Sequence, residues 1–234
     1  MSLSPDVIAT LEKVTTATIT TMLLKKGIRH CWMQGAMPFS AAAGKRLVGP
    51  AFTLRFVPVR EDLATPASWG KPISTRAAIE AMPQGCIAVA DAMGVTTAGI
   101  FGDILCMRMM RRGVTALVTD GVVRDKAGVV ATGLPVWCQG TAAPASVNGL
   151  TFVGWQEPIA CGGVAVFPDD VIVADDDGVV LIPKDLVGFV AEEGEEHERY
   201  ETWVVSEVER GVPLPGLYPP NDEAKARYEA WKKK

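Results

Sequence analysis

Apolar positions recur at helical spacing from the start of the chain, in SPDVIATLEKVTTATITTMLLKKG. Ser4 is placed to cap this helix, Pro5 to fill its first position and Gly27 to take the left-handed turn that ends it. The threonine-rich middle predicts an interruption. The pattern then changes to alternation: PAFTLRFVPV, residues 50–59, predicts a strand, with Pro58 marking an edge or an end. After a loop rich in Gly, Pro and Ser, STRAAIEAM (74–82) predicts a helix capped by Ser74 and CIAVA (86–90) a buried strand. DILCMRMMRRG (103–113) follows as a helix stopping at Gly113, and TALVT (115–119) as another short apolar strand.

From residue 134 onward the short runs LPVWC, TFVGW, VAVF, VIVA and VVLI are divided by Gly, Pro and Asp, which predicts strands in a sheet that is not purely parallel. Helical spacing returns in PKDLVGFVAEEGEEHERYETWVVSEVERG, and PLPGLYPPND breaks it before a short charged helix ending WKKK. The pattern thus gives one α/β domain over residues 1–185 and a helical C-terminal arm over 186–234. The arm's Phe189, Val190, Trp203, Val204 and Val208 need a partner surface, which either the same domain or a neighbouring subunit can supply.

Composition narrows the function classes. The chain has 234 residues, 48% of them hydrophobic, enough to fill a sizeable core. A net charge of -4 from well-mixed acids and bases leaves no field of one sign to draw in a phosphate backbone, so nucleic acid is not an expected partner. No stretch reaches the roughly 18 to 20 apolar residues that cross a bilayer, and the N-terminus lacks the pattern of a secretory signal, so a cytoplasmic protein with no membrane contact is expected. Five widely spaced cysteines in apolar runs read as core residues in a reducing compartment. With only two histidines, both isolated, a built-in zinc site is not expected.

Several acidic or glycine-rich stretches have plain explanations. ADDDGV (174–179) lacks the spacing of a calcium loop and lies between two β-rich runs, so it reads as a hairpin turn. EEGEEHERYE reads as a solvated helix face. GVTTAGIFGD matches neither a dinucleotide fingerprint nor a P-loop.

The segment GDILCMRMMRRGVTALVTDGVVRD, residues 102–125, stands apart because both its ends fall where strands meet helices. The amides of Asp103, Ile104 and Leu105 open a helix and can hold a small carboxylate, with Gly102 allowing close approach. Alternatively, Asp103 merely compensates the helix dipole. Downstream, Arg124 and Asp125 follow a C-terminal strand end, where open α/β sheets place ligands. Arginine offers a planar fork for a carboxylate and an α-oxo oxygen, and aspartate a hard oxygen ligand for Mg²⁺ or Mn²⁺. The alternative there is a surface ion pair opening the next helix.

The G-D, twenty residues, R-D pattern, with RRGVTALVTDGVVRD around its second half, resembles the 4-hydroxy-4-methyl-2-oxoglutarate aldolase/RraA-like family. The likeness covers roughly residues 10–185 and is most specific over 102–125. It implies a layered α/β/α sandwich with a mixed central sheet, assembled as trimers or pairs of trimers. It also implies a divalent-metal-dependent aldolase that cleaves 4-hydroxy-2-oxo acids to pyruvate and a second oxo acid, and decarboxylates oxaloacetate. Carried over by position, Gly102, Asp103, Ile104 and Leu105 form the pyruvyl-binding turn, Arg124 contacts substrate and Asp125 binds the metal. A glutamate from a neighbouring subunit's C-terminal helix, Glu198 or Glu201 here, is implied near the metal's waters. Another branch of the family regulates a ribonuclease by protein contact and lacks the metal-site aspartate; retention of Asp125 favours the enzyme, and the chain departs from the compact regulators in its longer N-terminal region and its C-terminal arm. For the chemistry, a metal is favoured over a lysine Schiff base, since Lys126 reads as a surface residue. A water oriented by Asp103 is the expected proton shuttle, because arginine is too basic and no histidine is near.

Overall fold

Two helices, not one, form at the N-terminus: α1 spans Pro5–Leu11 and α2 Thr16–Lys25. The Ser4 hydroxyl accepts from the Val7 N–H and the Thr15 hydroxyl from that of Thr18, so a second N-cap inside the threonine-rich stretch restarts the helix. These elements come from a computed structural model that describes residues 3–40 and 43–233; the ends of the predicted 1–185 and 186–234 units lie outside it. The chain continues through β1 (Met37–Pro38), β2 (Leu47–Pro58), α3 (Thr75–Ala81), β3 (Ile87–Asp91), α4 (Asp103–Arg111), β4 (Ala116–Thr119), α5 (Lys126–Ala131) and β5 (Val136–Cys138). Then come β6 (Leu150–Trp155), β7 (Ile159–Cys161), β8 (Val164–Val166), β9 (Val171–Asp175), β10 (Gly178–Ile182), α6 (Val187–Glu209) and α7 (Asp222–Lys232).

The main sheet runs β1-β5-β4-β3-β2-β9-β10, with β6 also paired to β2. Strands β2 to β5 are parallel and the other pairings antiparallel, so the sheet is mixed as expected. Strand β2 is long enough to serve two neighbourhoods: Leu47–Pro50 pair with β9, and the rest with β3 and β6. This lets the sheet curl until its ends nearly meet. Trp32 bridges to Val180 of β10, and the Trp137 indole N–H of β5 donates to the Asp175 carbonyl of β9 at 2.9 Å.

The inside of the curl is filled by small and β-branched side chains such as Ala51, Val89, Val118, Ile172 and Val179 around Trp137. Outside, α3, α4 and α5 bury Ile79, Cys106, Met109 and Val129 against Phe52, Leu54 and Leu117. On the opposite outer face, α1, α2 and α6 bury Leu11, Ile19, Met22 and Val190 against Val48, Val173 and Val180. The α/β class with helices flanking a mixed sheet is therefore borne out.

The arm's apolar residues find partners within the chain. Val190 lies against α1 and α2, with Phe189 half-buried beside it, while Trp203 and Val204 form a separate cluster with Leu217, Ala224 and Tyr228. Val208 remains exposed. Gly178 pairs opposite Asp175, so the 174–179 stretch is a hairpin turn through Asp176 and Asp177. All five cysteines are buried and free, and burial pushes the thiols of Cys86 and Cys106 up to about 11 and about 12. No single helix among the described residues is long and apolar enough to cross a membrane.

Candidate active site

Strands β3 and β4 run side by side in the same direction, with Ile87 opposite Ala116 and Ala90 opposite Thr119, so the chain leaves both at one edge of the sheet. Beyond that edge the two loops stay together. Gly99 bridges to Val122, the Ile100 N–H donates to the Val122 carbonyl at 2.9 Å, and the Arg124 N–H donates to the Phe101 carbonyl at 2.9 Å. This short parallel pairing sets Gly102-Asp103 beside Arg124-Asp125.

Helix α4 closes its first hydrogen bond from the Cys106 N–H to the Gly102 carbonyl, leaving the amides of Asp103, Ile104 and Leu105 ahead of the helical ladder. The Ile104 amide is taken by Asp103 itself, whose Oδ1 accepts it at 2.7 Å. An arriving anion thus meets fewer open amides than the sequence suggests. The helix ends with Arg108 and Arg111 in its last turn and Gly113 at φ +77°, the predicted stop.

Asp125 stands just before α5 but does not cap it, since its side chain accepts no N-terminal amide. Its backbone is left-handed, φ 56° and ψ 48°, a conformation that costs a non-glycine residue free energy. Its carboxylate instead accepts from Arg124 Nε at 3.1 Å. The expected alternative of an Arg-Asp pair is therefore present, yet the pair faces the cleft rather than the helix it precedes. Gly102 is needed here for room: its φ of -113° suits any residue, but a Cβ would lie 2.4 Å from Asp125 Oδ2. In the reciprocal contact, a Cβ on Gly128 would lie 2.7 Å from Asp103 Cβ.

A cleft of about 280 Å³ is lined by all six predicted residues: Gly102, Asp103, Ile104, Leu105, Arg124 and Asp125. Trp69, Thr75, Arg76, Gly99, Ile100, Ala145 and Ser146 complete it, and none of these was predicted from the sequence. The signal available for Trp69 was a tryptophan within a Gly/Pro/Ser loop. Lys126 points elsewhere, its ammonium 5.5 Å from the Phe39 ring centroid. Glu198 and Glu201 do not line the cleft of their own chain. Glu198 accepts from the Thr15 N–H at 2.8 Å and hydroxyl at 2.7 Å, and Glu201 accepts from the Tyr218 hydroxyl at 2.7 Å.

Among the described residues, no three His, Cys, Asp or Glu side chains cluster into a cage for a metal. Two carboxylates sharing a cleft with open space suit a hard cation such as Mg²⁺, which keeps most of its waters and binds through one or two carboxylates plus substrate oxygens. At the end of β4, outside the cleft lining, the carboxylate of Asp120, 4% exposed, accepts from the N–H groups of Ala92, Gly94 and Gly162 at 2.8, 3.1 and 3.1 Å. Burial raises its pKa, with the neighbouring Asp91 acting in the same sense and the three amides opposing. This knot fixes the start of the loop that carries Gly102.

Comparison with known proteins shows the family and the fold. The family profile described as RraA-like: Aldolase/RraA matches residues 16–181. A Halalkalibacterium halodurans protein, named provisionally as a 4-hydroxy-4-methyl-2-oxoglutarate aldolase, is 38% identical over 140 residues, 59% of this chain and 60% of that protein. The DlpA protein of Legionella pneumophila is 31% identical over 142 residues, 61% of this chain and 22% of that protein. The chain thus spans less than two thirds of either relative. The crystal structure of Streptomyces coelicolor RraAS2, described as an unusual member of the RNase ES inhibitor RraA protein family, superposes with a TM-score of 0.76 at 33% identity, covering 87% of this chain and 97% of that one.

Proposed function

We propose, from the premise that this chain belongs to the RraA-like (Aldolase/RraA) family, that it is a divalent-metal-dependent aldolase. Its substrates are 4-hydroxy-2-oxo acids, such as 4-hydroxy-4-methyl-2-oxoglutarate, cleaved to pyruvate and a second oxo acid, with oxaloacetate decarboxylation as a side activity. The observation that carries this reading is the meeting of Asp103, Arg124 and Asp125 in one cleft, with Gly102 left bare to admit the Asp125 carboxylate.

In the retro-aldol step the 4-hydroxyl loses its proton, the C3–C4 bond breaks, and its electron pair becomes the enolate of pyruvate, which is then protonated at C3. The Arg124 guanidinium, directed by its bond to Asp125, places positive charge where the 2-oxo oxygen gains electron density. The unengaged amides at the start of α4 receive the substrate carboxylate. Asp103 orients a water that carries the proton, since arginine holds its own too tightly. A Mg²⁺ or Mn²⁺ ion held on Asp125 would supply Lewis acidity at the 2-oxo oxygen. The protein works in this reading as a cytoplasmic homo-oligomer of three or six copies, for which light scattering is the check.

A pyruvate-release assay with 4-hydroxy-4-methyl-2-oxoglutarate and oxaloacetate, first with Mg²⁺ and then with a chelator, tests the proposal. Release that the chelator leaves untouched rules out the metal-dependent mechanism. A second reading, a non-catalytic regulator acting by protein contact, draws support from the RraAS2 likeness over nearly the whole of that chain. It predicts no release from any acid and partner binding indifferent to Arg124→Ala.

A further inference from the structure

The cleft does not end at Asp103 and Arg124. Trp69, Arg76, Ile104 and Leu105 line both the cleft and an adjoining recess of about 560 Å³, so these four residues form the passage between them. Arg76 is the charged group in that passage. Its guanidinium carbon lies 4.9 Å from the centroid of the half-buried Trp69 ring, a cation–π contact that orients this solvent-exposed side chain without neutralising it. The acid one helical turn away, Glu80, is not its partner. Glu80 binds Arg108 through both oxygens at 2.7 Å and reaches Arg112 at 3.3 Å. Among the described residues Arg76 has no carboxylate partner, whereas Arg124 across the cleft has Asp125.

A held but unneutralised guanidinium at the far side of a cleft built for a 2-oxo acid is a receptor for a second anion. We propose that Arg76, positioned by Trp69, binds a carboxylate on the half of the substrate that departs as the second product. Arg76 is then the residue that selects acids with an anionic tail over those with a neutral one. This inference rests on the 2-oxo-acid reading of the cleft. Lys71 lines the recess alone and does not reach the cleft, so it has no share in the selection.

Titration calorimetry in Mg²⁺ with two uncleavable 2-oxo acids isolates the effect: 2-oxoglutarate carries the distal carboxylate, and 2-oxopentanoate has an apolar tail of the same length. The wild type is expected to prefer 2-oxoglutarate by about tenfold, the usual worth of one charge-assisted contact. Arg76→Gln removes that preference while binding 2-oxopentanoate as before, which also shows that the variant is folded. Arg76→Lys restores part of the preference, and Lys71→Gln leaves it intact. A wild type without preference, or an Arg76→Gln variant weakened equally for both acids, overturns the proposal. If neither acid binds, the 2-oxo-acid reading falls with it. If the preference behaves as stated but no pyruvate is released in the assay above, only the cleavage reading fails.

Discussion

Asp120 and Asp125 follow the same strand within one turn, yet the regions around them are built on opposite terms. Asp120 is buried and its carboxylate is filled by three backbone amides that tie the loop after β3 to the loop after β7. Asp125 is half exposed, accepts no helix-capping amide, sits in a left-handed backbone and faces one guanidinium. Where acceptor capacity is used up by the protein, the group is part of the scaffold. Where it is left open at a conformational cost, the group is available to a ligand. The distinction also separates Arg108, spent on Glu80, from Arg76, which has no acidic partner among the described residues.

The comparison predicts that damage on the two sides will be read by different instruments. Arg124→Ala should lower kcat/KM for pyruvate release by about 100- to 1000-fold, the cost of a lost preorganised donor, with the urea midpoint unchanged because the half-exposed pair contributes little to stability. Asp120→Ala should do the reverse, costing about 3 kcal/mol in urea unfolding because it strands buried amides. Should Arg124→Ala unfold the protein as readily as Asp120→Ala, the two regions would not differ in kind.

A subtler variant probes the space between the turns. Gly102→Ala keeps an allowed backbone but puts a Cβ 2.4 Å from Asp125 Oδ2, so the carboxylate must swing away. About a tenfold loss of activity is expected from that displacement, with little change in melting temperature. Full activity in Gly102→Ala would mean that the position of the Asp125 carboxylate does not matter.

Much of the cleft was legible in the sequence because each of its parts is a local signal. An apolar run followed by glycine, aspartate and helical spacing occurs after β3, and an apolar run followed by Asp-Gly and Arg-Asp after β4. Adjacent parallel strands then bring the two together. Trp69, Arg76 and Ser146 were not legible as site residues, because segments far apart in sequence, among them the first turn of α3, reach the cleft through packing against β6 and α4 that no periodicity encodes. The curl of the sheet escaped for a similar reason: it depends on β2 dividing its pairing between β3, β6 and β9. The acidic run of the arm was read as a solvated face, which fails for its inward positions. Glu198 holds Thr15, and further along the same helix Glu207, 4% exposed, is enclosed by Arg210 and Arg227.

Glu198 extends the comparison to a third carboxylate and gives the smallest expected effect. Burial opposes its charge, but hydrogen bonds from the Thr15 amide and from the Thr15 and Thr18 hydroxyls, with Arg46 nearby, outweigh that and lower its pKa below the ordinary 4.5. A carboxyl whose folded pKa is depressed stabilises the fold fully above the unfolded value and loses that contribution as pH falls through the folded one. Glu198→Gln keeps an acceptor for Thr15 and removes the charge. It should therefore be less stable than the wild type by about 1 kcal/mol at neutral pH. The gap between the two should close as pH drops below about 4.5, where the wild-type carboxyl becomes protonated as well. Asp120, whose pKa is shifted the other way, predicts the opposite slope: its charge becomes a burden to the fold as pH rises from the ordinary aspartate value of 3.8. Urea unfolding of wild type, Glu198→Gln and Asp120→Asn between pH 3 and 7 separates the two trends. A gap for Glu198→Gln that is as wide at pH 3 as at pH 7 would remove Glu198's charge from the account of how α6 holds α2.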